Sequence, residues 1–220
     1  MPVVARPMRL LGGVIAAALA VTTVLSGDPM ASVAYGPTWG QAQMSYRINS
    51  ANLDLSAAGA EAAVRSGADA WQAQTGAFRF NYAGSSSQST TTNDGINLVL
   101  FRNAQNGSAL ATTYWWSSGS RIIDADIIFW DATATFFAGS TGCSGGFYIE
   151  DVAVHEFGHA LGLGHSAAIS ATMYPSTSAC NTQNRTLDGD DISGVRALYP
   201  PASSPPALGP TAPAGLRIAG

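Results

Sequence analysis

The chain has 220 residues, ten arginines, no lysine, a formal net charge of -4 and only 11% charged residues. That length carries one domain with a sizeable buried core, and too little for two large ones. The sparse charge leaves no basic footprint for nucleic acid and no polybasic patch for a membrane surface.

Residues 1–34 have the layout of an export signal: Arg6 and Arg9, an apolar run from Leu10 to about Leu25, then small residues ending in Ser32-Val33-Ala34. The uncharged run falls short of the roughly 20 residues a spanning helix needs. The expectation is a secreted, extracellular protein with no stable membrane association after signal removal.

Ser45 to Ile48 reads as a short strand. From Ser56 to about Gln74, Ala60, Val64, Ala68 and Trp71 recur at helical spacing behind Ser56 as N-cap. Phe78 to Tyr82 alternates like a strand, and the polar run from Gly84 to Asp94 is a solvated loop leading to a strand at Ile96 to Phe101. Leu110 to Trp116 and Arg121 to Phe129 form a hairpin pattern about Ser117-Ser118-Gly119-Ser120. A Gly-rich segment, Gly139 to Gly146, precedes a helix from about Ile149, broken at Gly162 and Gly164. A last helix runs from about Asp188 to Leu198, stopped by Pro200 and Pro201. The order of elements indicates an α+β domain.

Cys143 and Cys180 are the only cysteines, and in an exported chain the pair reads as one disulfide. A Cys/His metal site is excluded because all three histidines are engaged together elsewhere. His155 and His159 flank Glu156 in His155-Glu156-Phe157-Gly158-His159, one helical turn apart on one face, a spacing suited to two bonds to one zinc ion. Gly162 gives the backbone freedom to leave the helix and bring in His165 as third ligand. Three neutral imidazoles leave a fourth position open, as in catalytic rather than structural sites. Glu156 is placed to act as general base toward a zinc-activated water and then as acid toward the leaving amine.

The run HEFGHALGLGH at 155–165 resembles the metzincin signature of zinc metallopeptidases, and Ala171-Thr172-Met173-Tyr174-Pro175 resembles its Met-turn. The eight-residue step from His165 to Met173 is similar to that of matrixins, the matrix-metalloproteinase-like branch. Tyr46-Arg47-Ile48, the helix around Trp71 and Leu187 to Tyr199 extend the likeness over most of residues 45–200. The resemblance implies a twisted, mostly parallel small sheet with a long helix before it, the active-site helix, and a C-terminal helix after the Met-turn. It also implies that Met173 underlies the metal as a hydrophobic base without ligating it.

Three departures accompany the likeness. Thr112 and Ile128 stand where matrixins carry structural-zinc histidines, so one catalytic zinc is expected and no second. Calcium is a further candidate ion, with Asp124, Asp126 and Asp131 as oxygen donors. Only about ten residues separate Ala34 from the first strand and none is Cys, so no cysteine-switch latency is expected. By resemblance, Cys143 and Cys180 brace the loop that walls the pocket for the residue after the scissile bond. Asp151 borders that pocket or serves the helix dipole.

The expected organisation is a signal peptide at 1–34, a zinc metallopeptidase domain at 35–200 and a Pro/Ala/Gly-rich linker or tail at 201–220. The function expected is a monomeric, secreted zinc endopeptidase acting on protein or peptide. The alternatives are a silent zinc-binding or adhesion module, for which Glu156 would be superfluous, and a hydrolase of a non-protein amide.

Overall fold

In a computed structural model, which describes residues 36–201, alternation and helical periodicity meet on a single core. The expected signal at 1–34 and, beyond Pro201, the expected tail at 201–220 lie outside the described residues. Strand β1 is Thr38–Trp39 and β2 is Gln43–Asn49, whose Met44, Tyr46 and Ile48 point inward while their neighbours face solvent. Helix α1, Ala57–Thr75, leaves after β2 and returns the chain to β3, Arg79–Ser85, which pairs parallel to β2. Ser56 caps α1 through its hydroxyl on Gly59 N, and Gly76 closes it in a left-handed conformation, φ 60°.

Strands β4 (Asn97–Arg102), β5 (Ala111–Ser118) and β6 (Arg121–Trp130) complete a sheet ordered β1-β6-β4-β2-β3. Every pairing along that path is parallel. Strand β5 alone runs antiparallel, as the hairpin pattern anticipates, and pairs only with β6 among the described strands. Its outer edge therefore keeps no strand partner there. A short parallel pair, β7 (Phe136–Phe137) and β8 (Phe147–Tyr148), leads into α2, Ile149–Ala160. A 3-10 turn at Gln183–Arg185 and helix α3, Gly189–Leu198, follow.

Helix α2 lies against α1 at a close crossing. A Cβ built on Gly67 would sit 2.4 Å from Ala153 Cβ and 2.9 Å from Val154 N, so only glycine permits this approach. Nearby, Trp71, fully buried, donates its indole N–H to Val154 O at 2.8 Å. On the sheet side, Phe157 packs edge-on to Tyr46 and Phe80, at centroid separations of 5.1 and 4.9 Å. The helix that carries the histidines is thus held from both sides by apolar surface, the main source of stabilisation for a helix of only twelve residues.

The acidic residues considered for calcium have other partners. Asp124 and Asp126 are fully buried on β6 and accept backbone N–H groups from the end of the polar loop. Asp94 N and Gly95 N reach Asp124 at 2.8 Å, while Thr92 N and Leu98 N reach Asp126 at 3.0 and 2.8 Å. The loop is anchored at its C-terminal end rather than solvated throughout. Asp131 likewise accepts Leu53 N at 2.6 Å.

Candidate metal centre

Two of the three histidines come from one face of α2, and the third requires the helix to stop. Gly162, at φ 99°, makes that stop, and a Cβ there would also lie 2.7 Å from Pro37 O. The helix end is satisfied by distant side chains: the Trp39 indole donates to Ala160 O at 2.8 Å and the Tyr199 hydroxyl to Leu161 O at 2.7 Å.

The imidazoles of His155, His159 and His165 converge, with ligand-capable atoms within 4.8 Å of one another. The Nε2 of His159 lies 3.1 Å from that of His155 and 3.2 Å from that of His165. At their other nitrogens, His155 Nδ1–H donates to Thr172 O at 2.7 Å and His159 Nδ1–H to Leu163 O at 2.9 Å. A carbonyl can only accept, so the neutral rings carry their protons on Nδ1 and leave Nε2 with a lone pair. Lone pairs facing one another at 3.1 Å repel unless a cation sits among them. Zinc–nitrogen bonds of about 2.0 to 2.1 Å at tetrahedral angles separate two ligand nitrogens by roughly 3.3 Å, so the triad fits zinc in size as well as in donor type.

Burial lowers the pKa of His159 well below the usual imidazole value, helped by the neighbouring His155 and His165. Burial, with His155 beside it, pushes His165 down to about 4. Both are therefore neutral near pH 7, the form that binds a metal.

Glu156 is 6% exposed, between the two helical histidines in sequence. Burial raises its carboxyl pKa, opposed by the positive charge His155 can carry and by hydrogen bonds from Thr113. The Thr113 hydroxyl lies 2.6 Å from Glu156 Oε2.

Met173 is fully buried beneath this helix, and a Cβ on Gly158 would fall 2.2 Å from its sulfur and 2.7 Å from Trp71 Cζ2. The turn holding Met173 is fixed from α3. Asp191 accepts Thr172 N, Met173 N and Asp188 N at 2.8, 3.0 and 2.8 Å. Since Thr172 O receives the His155 ring, one carboxylate on α3 steadies a histidine on α2 through the turn that holds Met173. Acids in the first turn of a helix such as α3 are explained locally by the helix dipole. Nothing in the spacing of Asp191 signals its partners eighteen and nineteen residues upstream.

Cys143 and Cys180 form a disulfide with their Cα atoms 5.5 Å apart, tying the segment before α2 to the loop after the Met-turn. A second tie, not legible in the sequence, runs parallel to it. Arg185 donates to Asp151 at 2.6 Å and to Gly139 O at 2.8 Å, pairs with Glu150 at 3.0 Å, and stacks over Tyr148. Asp151, only 2% exposed, is thus neutralised internally instead of presenting a free carboxylate. At the positions of the missing structural-zinc histidines, Thr112 and Ile128 face each other across β5 and β6, and Thr112 accepts the Trp130 indole N–H at 2.8 Å.

Comparison with known proteins agrees with this geometry. The family model for matrixin peptidases matches residues 38–200. Human neutrophil collagenase is 31% identical over 185 residues, covering 80% of this chain and 36% of the collagenase. Human matrix metalloproteinase-20 is 52% identical over 56 residues, 26% of this chain and 12% of that protein. Metalloendoproteinase 1 of Glycine max is 55% identical over 53 residues, 24% of this chain and 17% of that protein. The chain thus spans about a third or less of the length of these relatives. With the match running from β1 through α3 and across the histidine triad, the chain belongs to the matrixin family.

Proposed function

We propose that the chain is a secreted, monomeric zinc endopeptidase in which His155, His159 and His165 hold one catalytic zinc and Glu156 is the general base and acid. The observation that carries this reading is the convergence of three imidazoles, two of which donate Nδ1–H to carbonyls and so keep a lone pair on Nε2, next to a buried glutamate. Zinc bound there supplies Lewis-acid polarisation of the scissile carbonyl and acidification of water.

Glu156 takes a proton from the attacking water and delivers it to the leaving nitrogen, so that the amide becomes a carboxylate and an amine. Met173 backs the helix between the two ligand turns and keeps their separation constant. The unpaired outer edge of β5, which packs on α2, offers a row of backbone N–H and C=O groups that suits an extended peptide added as a strand. This edge favours protein or peptide substrates over a compact non-protein amide.

The disulfide and the Arg185 tie stiffen the wall leading away from the Met-turn. Among the described residues no helix is long and apolar enough to cross a membrane; the reading of 1–34 as an export signal rests on its sequence layout. The region 35–200 acts as the catalytic domain and 201–220 as a linker or tail. If calcium binds as well, Asp124 Oδ1 and Asp131 Oδ1 are buried oxygens without a hydrogen-bond partner that suit it, though with Asp124 on β6 and Asp131 just past its end, seven residues on, they belong to separate sites.

The test is incubation of the zinc-loaded protein and its Glu156→Gln variant with an unbiased peptide library, each with and without a zinc chelator. Cleavage by the untreated wild type alone is the expected result. Cleavage that survives both the substitution and the chelator rejects the mechanism.

A further inference from the structure

We infer that Thr113 is a positioning residue for Glu156: its hydroxyl fixes the carboxylate in the orientation required for proton transfer. This rests on the reading of Glu156 as the general base. Thr113 Oγ1 lies 2.6 Å from Glu156 Oε2 and 3.0 Å from Glu156 O, and both residues are buried, at 3% and 6% exposure. A contact of 2.6 Å is in the range of a hydroxyl donating to an ionised oxygen.

The consequence is geometric. Glutamate has three side-chain torsions, and a carboxylate beside a metal centre has many orientations that miss the reacting water. The hydroxyl contact engages Oε2, so Oε1 is the oxygen assigned to the water.

When Glu156 carries the proton taken from water, that proton sits on the other oxygen, so Oε2 remains an acceptor and the Thr113 hydroxyl keeps donating to it. The carboxyl group is then held in both states of the cycle.

Thr113 also lies on β5, the strand whose outer edge is open. One short stretch of backbone therefore positions the base and borders the surface proposed for the substrate, which sets the distance between them. Among the described residues no other side chain hydrogen-bonds to Glu156.

The test compares zinc-loaded wild type, Thr113→Val, Thr113→Ser and Glu156→Gln on one fluorogenic peptide, with zinc affinity measured by chelator competition. Crystal structures of wild type and Thr113→Val provide a readout independent of turnover. Thr113→Val is expected to lose about 10- to 100-fold in kcat, the usual cost of removing an outer-sphere partner. KM and zinc affinity should stay within about two-fold, and Thr113→Ser should restore most of kcat. In the Thr113→Val crystal, Glu156 should leave its wild-type rotamer or spread over several.

Wild-type kcat in Thr113→Val with Glu156 unmoved overturns the inference. So does a loss of kcat that tracks zinc affinity or is not rescued by Ser. If wild type and Glu156→Gln turn over equally, the base assignment itself has failed. The crystallographic comparison then still decides whether Thr113 orients the carboxylate.

Discussion

Replacing Gly158 by Ala tests whether the turn holding Met173 supports the histidine-bearing helix α2 by direct contact. In an open helix the change would stabilise, by roughly 0.5 to 1 kcal/mol, because alanine loses less backbone freedom. Here the new Cβ would lie 2.2 Å from the Met173 sulfur and 2.7 Å from Trp71 Cζ2, neither of which has room to retreat in a fully buried setting. Ordinary carbon–sulfur contact requires Met173 to move by well over an ångström, and overpacking of that kind costs about 1 to 3 kcal/mol or more. The net expectation is a destabilisation of about 1 to 2 kcal/mol, or a Tm lower by roughly 2 to 8 °C for a domain of this size.

Urea unfolding of the zinc-free protein measures the loss, and chelator competition measures whether zinc affinity falls with it. Gly189→Ala is the control. It lies at the start of α3 with nothing within 4 Å of a new Cβ, and should hold or raise stability. If Gly158→Ala matches Gly189→Ala in stability and keeps wild-type zinc affinity, the argument that Met173 props the helix at Gly158 is refuted.

Replacing both Cys143 and Cys180 by Ser should cost about 4 kcal/mol in the chain-entropy model, given their sequence separation of 37; denaturant unfolding reads the loss, and a change below about 1 kcal/mol would show that the bridge adds little. Asp126, pushed up to about 7 by burial and by Asp124 and Asp94 nearby, keeps its proton in the folded state where the unfolded chain has released it. Its contribution is full below about pH 4 and erodes as pH rises to 7, by about 2 kcal/mol between pH 5 and 7, since the slope of about 1.4 kcal/mol per unit halves at the folded pKa. Zinc-free Asp126→Asn should lack that part of the slope in unfolding titrations, and an unchanged slope would count against it. Because Arg185 neutralises Asp151 and Glu150, the wild type should show no preference for basic residues after the scissile bond; peptide-library profiling that finds one would put a free carboxylate in that pocket.

How much was legible in the sequence follows the range of the interactions. The N-cap at Ser56, the period of Ala60, Val64, Ala68 and Trp71, and the alternation of β2 are local, and the helix and strand appear where those patterns put them. The triad was legible for the same reason, since His155 and His159 meet by helical geometry and Gly162 supplies the break that brings His165 round. Asp191, Arg185 and Thr113 were not. Their partners lie 19, 34 and 43 residues away, and an aspartate at a helix start or a threonine in a strand has an ordinary local explanation. Thr112 stands out locally because matrixins, which its segment resembles, carry a histidine at that place. Thr113 beside it carries no local mark, and its role follows only from the packing of β5 on α2.

The central claim is most directly tested by anomalous diffraction at the zinc edge from crystals of the zinc-loaded protein. The account predicts one strong peak, about 2.0 to 2.1 Å from the Nε2 atoms of His155, His159 and His165. No peak among those three nitrogens, or zinc bound at other side chains with the triad empty, would contradict it.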